Sequence, residues 1–301
     1  MTESYETLET IVARTAAERA PSEIQALAAA VGALHAPGTA AVIAYGSALR
    51  GVAAGETLID LYVLTDSAAA VSSNPLARFG CRLVPPNVHY AEVPLGTGTL
   101  RAKYAILPLD LFVQKMAAGV SNPYFWARFA QPCRIVAARD EDVRNRLVAA
   151  LCEAVRTMIA ASLPLGRAGD DALKLWQRGF TETYRTELRP EAGDRAREIV
   201  LANAPYYRAV TQAVLGPDWQ SSGNPEASAG LWRRRRLAGK ILSVLRLVKA
   251  AFTFEGGADY LAWKITRHSG LAIEVKPWQR RHPVLGALWL LPGLLRRGAV
   301  R

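Results

Sequence analysis

The sequence predicts an α+β protein in which a mixed sheet with flanking helices is followed by a helical part and a basic amphipathic segment. Short apolar runs rich in β-forming residues are confined to residues 1–140, whereas helical periodicity dominates residues 141–230. Residues 231–301 hold 15 Lys and Arg against three acids, while the other 230 residues hold 22 bases and 23 acids. This asymmetry predicts that the C-terminal segment meets an anionic surface, either a membrane or a nucleic acid.

The strands are predicted from runs of four to nine β-forming residues. Residues 40–45 form a continuous apolar run, and residues 57–65, TLIDLYVLT, alternate in part between apolar and polar. Residues 81–93 predict one or two strands around a Pro-Pro turn. Further strands are expected at residues 100–108 and 132–138.

The helices are predicted from capping residues and apolar periodicity. In residues 21–38, Ser22 stands at an N-cap position with Gln25 three residues later, which is the capping-box spacing. Residues 216–230 are rich in Gly, Ser, Pro and Asn and predict a linker. Further helices are expected at residues 109–119, 121–131, 140–163, 170–189 and 193–215.

The basic segment predicts attachment to one face of a membrane. A helix starting near residue 231 carries one apolar stripe, and residues 284–295 are an apolar run flanked by arginines. That run is too short to span a bilayer, which requires about 20 apolar residues. We therefore expect a monotopic segment in the headgroup region. The stripe is Leu237, Ile241, Val244, Leu245, Val248 and Phe252, and the cations expected at the lipid are Arg233, Arg234, Arg235, Arg236, Lys240, Arg246 and Lys249.

The remaining composition predicts a cytoplasmic protein attached peripherally to the inner face of the cell membrane. Cys81, Cys133 and Cys152 have no CxxC spacing and cannot all pair, which favours reduced thiols over disulfides or a zinc site. The first 20 residues mix acids with bases and lack the apolar core of a signal peptide.

A candidate site lies between the first two predicted strands. The first strand ends at Gly46-Ser47, where glycine permits close backbone approach and free N–H groups can point at a triphosphate. The second strand carries Asp60, a carboxylate that can hold Mg²⁺ against the same phosphates. This pattern resembles the polymerase-β-like nucleotidyltransferases.

The pattern departs from that superfamily at the second metal carboxylate. The usual Asp-x-Asp pair would require an acid at position 58, where this chain has Leu58. A second acid is therefore expected from elsewhere, because two cations sharing one carboxylate would be poorly neutralised. The candidates are Glu56, Asp66 and Glu92.

Further blocks narrow the resemblance to one family. AYGSALRG and LIDLYVLTD are followed, in order, by RAKYAILPLDLF at residues 101–112 and NPYFWARFAQPCRIV at residues 122–136. Together, over residues 40–140, they resemble the phosphatidate cytidylyltransferases of the mitochondrial translocator-maintenance type. Leu58 is consistent with this branch, whose metal strand reads apolar-Ile/Leu-Asp. Ala105 is a departure, because the family tends to have Gly after Lys-Tyr.

The resemblance implies a reaction of CTP with phosphatidate at a membrane surface, giving CDP-diacylglycerol and pyrophosphate with Mg²⁺. It implies a nucleotidyltransferase catalytic domain over residues 1–140, a helical domain over 141–230 and a membrane-associating segment over 231–301. No nucleic acid is expected as a partner. The implied site residues are Asp60 and Lys103 for catalysis; Tyr45, Gly46, Ser47, Lys103 and Tyr104 for the nucleotide; and Asp60, Glu92 and Asp66 for the metal.

Two other functions stay open on the sequence. The acceptor of the nucleotidyl group could be RNA, an aminoglycoside or a protein hydroxyl, with Arg233 to Arg236 contacting a phosphate backbone. Alternatively the chain could be a membrane-surface adaptor that kept the fold without catalysis. The apolar face of the basic segment favours the lipid-directed reaction over both.

Overall fold

The sheet predicted for the first 140 residues is present as five strands, in a computed structural model that describes residues 6–50, 58–95, 98–187, 194–253 and 275–281. The strand order is β3-β4-β2-β1-β5, and only β2 and β4 run parallel. The strands are β1 (Thr39–Tyr45), β2 (Ile59–Thr65), β3 (Asn87–Leu95), β4 (Gly98–Pro108) and β5 (Arg134–Ala138).

Eleven helices accompany the sheet within the described residues, which confirms the α+β class. Between residues 141 and 215 the described residues are helical apart from short connections, as the periodicity predicts. The helices are α1 (Leu8–Ala17), α2 (Ser22–Ala33), α3 (Pro75–Leu83), α4 (Leu109–Met116), α5 (Trp126–Phe129), α6 (Glu141–Ser162), α7 (Ala172–Tyr184), α8 (Arg195–Ala202), α9 (Ala204–Leu215), α10 (Pro225–Thr253) and α11 (Pro277–Arg281).

The central strands are covered on both faces, which explains their nearly continuous apolar sequence. Helix α2 packs on one face, and α4, α5 and α6 pack on the other. Tyr62 of β2 shows the second face clearly, because its ring contacts Phe112 of α4 and Phe129 of α5. Asp60 lies two residues earlier on the same strand and therefore faces the same side.

Three local predictions are wrong at the ends of elements. Ser22 does not cap α2: it is the first helical residue, Pro21 is the N-cap, and the Gln25 amide donates to the carbonyl of Ala20. Residue 203 divides the predicted helix 193–215 into α8 and α9. The last six residues of the predicted linker 216–230 already belong to α10.

Helix α3 is present where the sequence predicts the start of a strand. Asn74 caps it by accepting a hydrogen bond from the N–H of Leu76, and Pro75 occupies the first helical position. The helix includes Cys81, so β3 begins only at Asn87, after the Pro-Pro pair. One strand is therefore present in residues 81–93.

Helix α6 is long and apolar enough to cross a membrane by length and composition, and no other helix in the described ranges is. In the structure 61% of the most apolar stretch of this helix is buried inside the protein. Leu147, Leu151 and Met158 are buried within the core, against neighbouring helices. Helix α6 is thus the central helix of the fold.

Helix α10 turns one face toward the protein and its apolar stripe outward. Trp232 and Gly239 are buried on the inner face. Leu237, Ile241, Val244, Leu245 and Val248 are between 45% and 64% exposed on the outer face. The side chain of Phe252 and the apolar run 284–295 lie outside the described residues.

The inner face of α10 predicts opposite effects for two Gly→Ala substitutions in the same helix. A methyl group at Gly230 meets nothing within 4 Å, whereas one at Gly239 would lie 2.6 Å from the carbonyl oxygen of Thr186. Both substitutions gain up to about 1 kcal/mol of helix propensity. We expect Gly230→Ala to be neutral or stabilising and Gly239→Ala to destabilise by about 1–3 kcal/mol, because α10 must shift away from Thr186.

Chemical denaturation of the two variants beside the wild-type chain measures both effects. Gly230→Ala is the matched control, because it makes the same change in the same helix without a steric conflict. Equal stability of the two variants would contradict the packing of α10 described above.

Candidate active site

The pairing of the central strands brings Tyr45, Asp60 and Lys103 side by side. Tyr45 at the end of β1 pairs with Asp60 in β2, and Asp60 pairs with Lys103 in β4. A cavity of about 290 Å³ opens at this end of the strands. These three residues and Gly46 line its floor, and residues of α5, α7, α8 and α10 and of the chain just before α5 form its walls.

The backbone conformation at Gly46, on the floor of the cavity, requires glycine. Its φ angle is +88°, a region that glycine adopts without the strain of a side chain. A methyl group there would lie 3.7 Å from a carboxylate oxygen of Asp60. Ser47 opens a short 3-10 turn and is half-buried, but Gly46, not Ser47, lines the cavity.

The Asp60 carboxylate is partly desolvated and lies among positive charges. Burial raises the pKa of Asp60 above its ordinary value, and the charges of Lys103 and Arg128 partly offset this rise. Among these described residues, neither cation has a nitrogen within 4 Å of the carboxylate oxygens, so neither forms a salt bridge with Asp60. A cation bound close to the oxygens of this buried carboxylate would stabilise its ionised form.

Arg128 is the site residue that the sequence analysis missed. It stands on α5, where its guanidinium donates to the hydroxyl of Tyr62 at 3.1 Å and lies over the rings of Tyr45 and Tyr124 at 5.5 and 4.4 Å. Its signal in the sequence was a single cation inside the aromatic block PYFWARF. The cavity wall also includes Arg195 and Arg246, so four cations face two acids, Asp60 and Glu187.

Tyr104 does not reach the cavity, which corrects its predicted role at the nucleotide base. It follows Lys103 on β4 and so points to the opposite face of the sheet. There it is buried, and its hydroxyl is 3.1 Å from Nε2 of His35. Tyr104 therefore belongs to the packing of α2 on the sheet.

The structure does not bring the proposed metal partners Glu92 and Asp66 to Asp60. Glu92 lies two strands from β2, roughly 10 Å away by the usual strand spacing. Its carboxylate accepts hydrogen bonds from Tyr90 and Arg101, at 2.7 and 3.0 Å.

Asp66 lies beyond the other end of β2, six residues or roughly 20 Å from Asp60. It pairs with Arg139 at 3.3 Å. Glu56 lies outside the described residues, and within them no group of three or more His, Cys, Asp or Glu side chains could hold a metal. Asp60 is thus the one carboxylate that the described strands present to this end of the cavity.

The seven cations predicted for lipid contact divide into two sets. Arg233, Arg234 and Lys240 are exposed, as lipid contact requires. The other four contact groups of the protein in this structure. Arg235 lies over the ring of Trp232, Arg236 pairs with Glu182, Arg246 donates to the carbonyl of Pro85, and Lys249 donates to those of Val84 and Pro86.

Comparison of the sequence with models of known protein families and with curated proteins finds no match.

The raised pKa of Asp60 predicts that its ionised form lowers stability. A carboxyl whose pKa is higher in the folded state binds its proton more tightly there, so folding loses stability as the pH rises through that range. We expect Asp60→Asn to melt at a higher temperature than the wild-type chain at pH 7. The difference should shrink as the pH falls below the pKa of the carboxyl, where Asp60 is neutral in both states.

Thermal unfolding at pH 7 and at low pH measures this difference, with Asp140→Asn as the control. Asp140 caps α6, and the hydrogen bond from the N–H of Val143 is the main cause that lowers its pKa. Its ionised form therefore stabilises the fold above the unfolded pKa, and its substitution should bring no gain at pH 7. A loss of stability in Asp60→Asn at pH 7 would contradict the prediction for Asp60.

Proposed function

We propose that the protein transfers the cytidylyl group of CTP to the phosphate of phosphatidate at a membrane surface. The observation that carries this proposal is the cavity in which Gly46, Asp60 and Lys103 meet beside an excess of positive charge. Such a floor suits a nucleoside triphosphate with its cation, because backbone and lysine groups neutralise the phosphates and the carboxylate holds the metal. The choice of CTP rests on the sequence resemblance.

The step itself requires positioning more than proton transfer. A phosphatidate phosphate oxygen, already anionic near neutral pH, attacks the α-phosphorus of CTP. A new phosphorus–oxygen bond forms, the bond between the α-phosphorus and the bridging oxygen breaks, and pyrophosphate leaves with that electron pair. No general base is needed, so Lys103 acts by neutralising charge and Gly46 by allowing close approach.

Asp60 is the residue on this floor that would hold Mg²⁺. Mg²⁺ is commonly held by only one or two protein carboxylates and takes its other ligands from phosphates and water. When bound, it would neutralise charge on the transferring phosphate. The raised pKa of Asp60, which burial causes, is consistent with a carboxylate that gains a close cation on binding.

The outer face of α10 supports a lipid as the acceptor. Exposed leucine, isoleucine and valine side chains run along this helix, and Arg233, Arg234 and Lys240 are exposed beside them. Apolar insertion and about 1 kcal/mol per cation near an anionic leaflet would combine to hold the helix at the bilayer. An RNA-binding face would instead expose cations without an apolar stripe.

The catalytic proposal is tested by CDP-diacylglycerol formation from CTP and phosphatidate vesicles with Mg²⁺. We expect Asp60→Ala to lower the rate at least about 100-fold, because it removes the metal carboxylate. Asp66→Ala and Glu92→Ala should stay within about threefold of the wild-type rate, since neither reaches the cavity. Transfer that is unaffected by Asp60→Ala would exclude this site.

Two controls separate the other functions that the sequence leaves open. The same protein offered RNA or an aminoglycoside in place of vesicles should form no nucleotidylated product, and product there would replace the lipid as acceptor. Calorimetric titration with CTP and Mg²⁺ should show binding that Asp60→Ala weakens. A wild-type chain that binds vesicles but no CTP would be an adaptor.

The membrane contact is tested by flotation with vesicles that contain anionic lipid. We expect the double variant Ile241→Asp, Val248→Asp to bind at least about tenfold more weakly, because each substitution puts a charge in the apolar stripe. Leu34→Asp is the control, since Leu34 is also an exposed apolar side chain, at the end of α2 and outside the stripe. Equal losses in both proteins would contradict a specific membrane face on α10.

A further inference from the structure

Two guanidinium groups from distant parts of the chain meet at the ring of Tyr124. The central carbon of Arg128 lies 4.4 Å from the ring centroid, and that of Arg246 lies 3.8 Å from it. Both distances end at the same point, so the two charges are no more than about 8 Å apart. Arg128 comes from α5 and Arg246 from α10, and all three residues line the cavity.

Within the described residues no carboxylate forms an ion pair with either charge, although Glu187, which also lines the cavity, attracts both. Within the described chain, neither Arg128 nor Arg246 has a carboxylate oxygen within 4 Å, whereas Arg236 of α10 pairs with Glu182. Arg128 and Arg246 donate hydrogen bonds to neutral oxygens, those of Tyr62 and Pro85. Two partly buried cations at this distance repel each other, which is unfavourable unless an anion joins them.

The positive charges around Tyr124 also affect the pKa of its hydroxyl. Burial alone would raise the pKa of Tyr124, but the charges of Arg128 and Arg246 outweigh burial and the pKa is lowered. Burial is also the main cause that lowers the pKa of Arg246, and repulsion from Arg128 adds to it. The positions of the two guanidinium groups around Tyr124 thus make this region of the cavity favourable for negative charge.

We propose that Arg128 and Arg246 form a clamp for the phosphate group of the acceptor, separate from the nucleotide phosphates at the floor. Guanidinium groups suit this role because their planar donors match phosphate oxygens, often in pairs. This inference rests on the proposed function for the identity of the acceptor.

The position of Arg246 on α10 assigns the clamp to the acceptor. Ser243, one turn earlier on the same helix, also lines the cavity, so α10 forms part of the cavity wall. The outer face of that helix is the apolar stripe. A phosphomonoester with an apolar tail can therefore place its phosphate at the clamp while its tail stays beside the helix.

Arg246 also anchors α10, and the experiment must separate the two roles. Its Nε donates to the carbonyl of Pro85 at 3.1 Å, and Lys249 anchors the same loop through Val84 and Pro86. Lys249 does not line the cavity. Lys249→Gln thus removes the same charge and the same kind of anchor without touching the clamp, which makes it the matched control for Arg246→Gln.

The test measures KM for both substrates with the full chain, Mg²⁺, CTP and dihexanoyl phosphatidate, which is soluble without a membrane. We expect Arg246→Gln to raise the KM for dihexanoyl phosphatidate at least about tenfold, with the KM for CTP within about twofold. Lys249→Gln should leave both values within about twofold. An unchanged acceptor KM in Arg246→Gln would overturn the clamp, and a raised KM for CTP alone would assign it to the nucleotide instead.

Calorimetric titration of dihexanoyl phosphatidate without CTP distinguishes failure of the clamp from failure of the proposed reaction. Binding that Arg246→Gln weakens and Lys249→Gln preserves would support the clamp, even if the wild-type chain formed no CDP-lipid. Binding that is indifferent to Arg246, or no binding to the wild-type chain, would overturn it. Inorganic phosphate in the same titration shows whether the phosphate alone is sufficient for recognition.

Discussion

The candidate site depends on the pairing of β2 with its two neighbours. Asp60 meets Tyr45 through antiparallel pairing and Lys103 through parallel pairing, so residues far apart in sequence share one end of the sheet. A register shift of one residue in β2 would move both Asp60 and Tyr62 to the face of the sheet that α2 covers. The apolar residues of β2, buried on both faces, prevent that shift because Tyr62 is packed among the aromatic rings of α4 and α5.

Helix α10 connects the cavity to the protein surface by reversing the usual amphipathic arrangement. Its inner face closes on Thr186 through Gly239 and places Arg246 in the cavity, while its apolar side chains face outward. Large exposed apolar patches are rare on proteins without a binding partner. Helix α3 continues the patch, because Leu76, Phe79 and Leu83 are also exposed and Gly80 contacts the stem of Lys249.

Much of the sheet and the core of the site could be predicted from local pattern, and the rest required tertiary contacts. Gly46 and Asp60 were found because a strand end and an isolated acid are visible in the sequence, and both line the cavity. The alternation of side chains along β4 already excluded Tyr104 once Lys103 was placed in the site. Only the strand order and the length of β2 show that Glu92 and Asp66 lie away from Asp60. Only the packing of α5 shows that Arg128 belongs to the site.

The electrostatics of the cavity explain why these residues belong together. Burial disfavours the ionised form of Asp60, which a close cation would stabilise, and Arg128 and Arg246 place two positive charges at the ring of Tyr124, which an anion would stabilise. Arg128 offsets the effect of burial on Asp60 only in part, and within the described residues no salt bridge joins Asp60 to either arginine. A bound complex that carries a divalent cation at one end and an additional phosphate at the other would stabilise both the carboxylate and the two arginines. In the proposed reaction the metal-bound triphosphate and the phosphorylated acceptor are that complex, and their binding offsets the destabilisation that the unliganded charges cause.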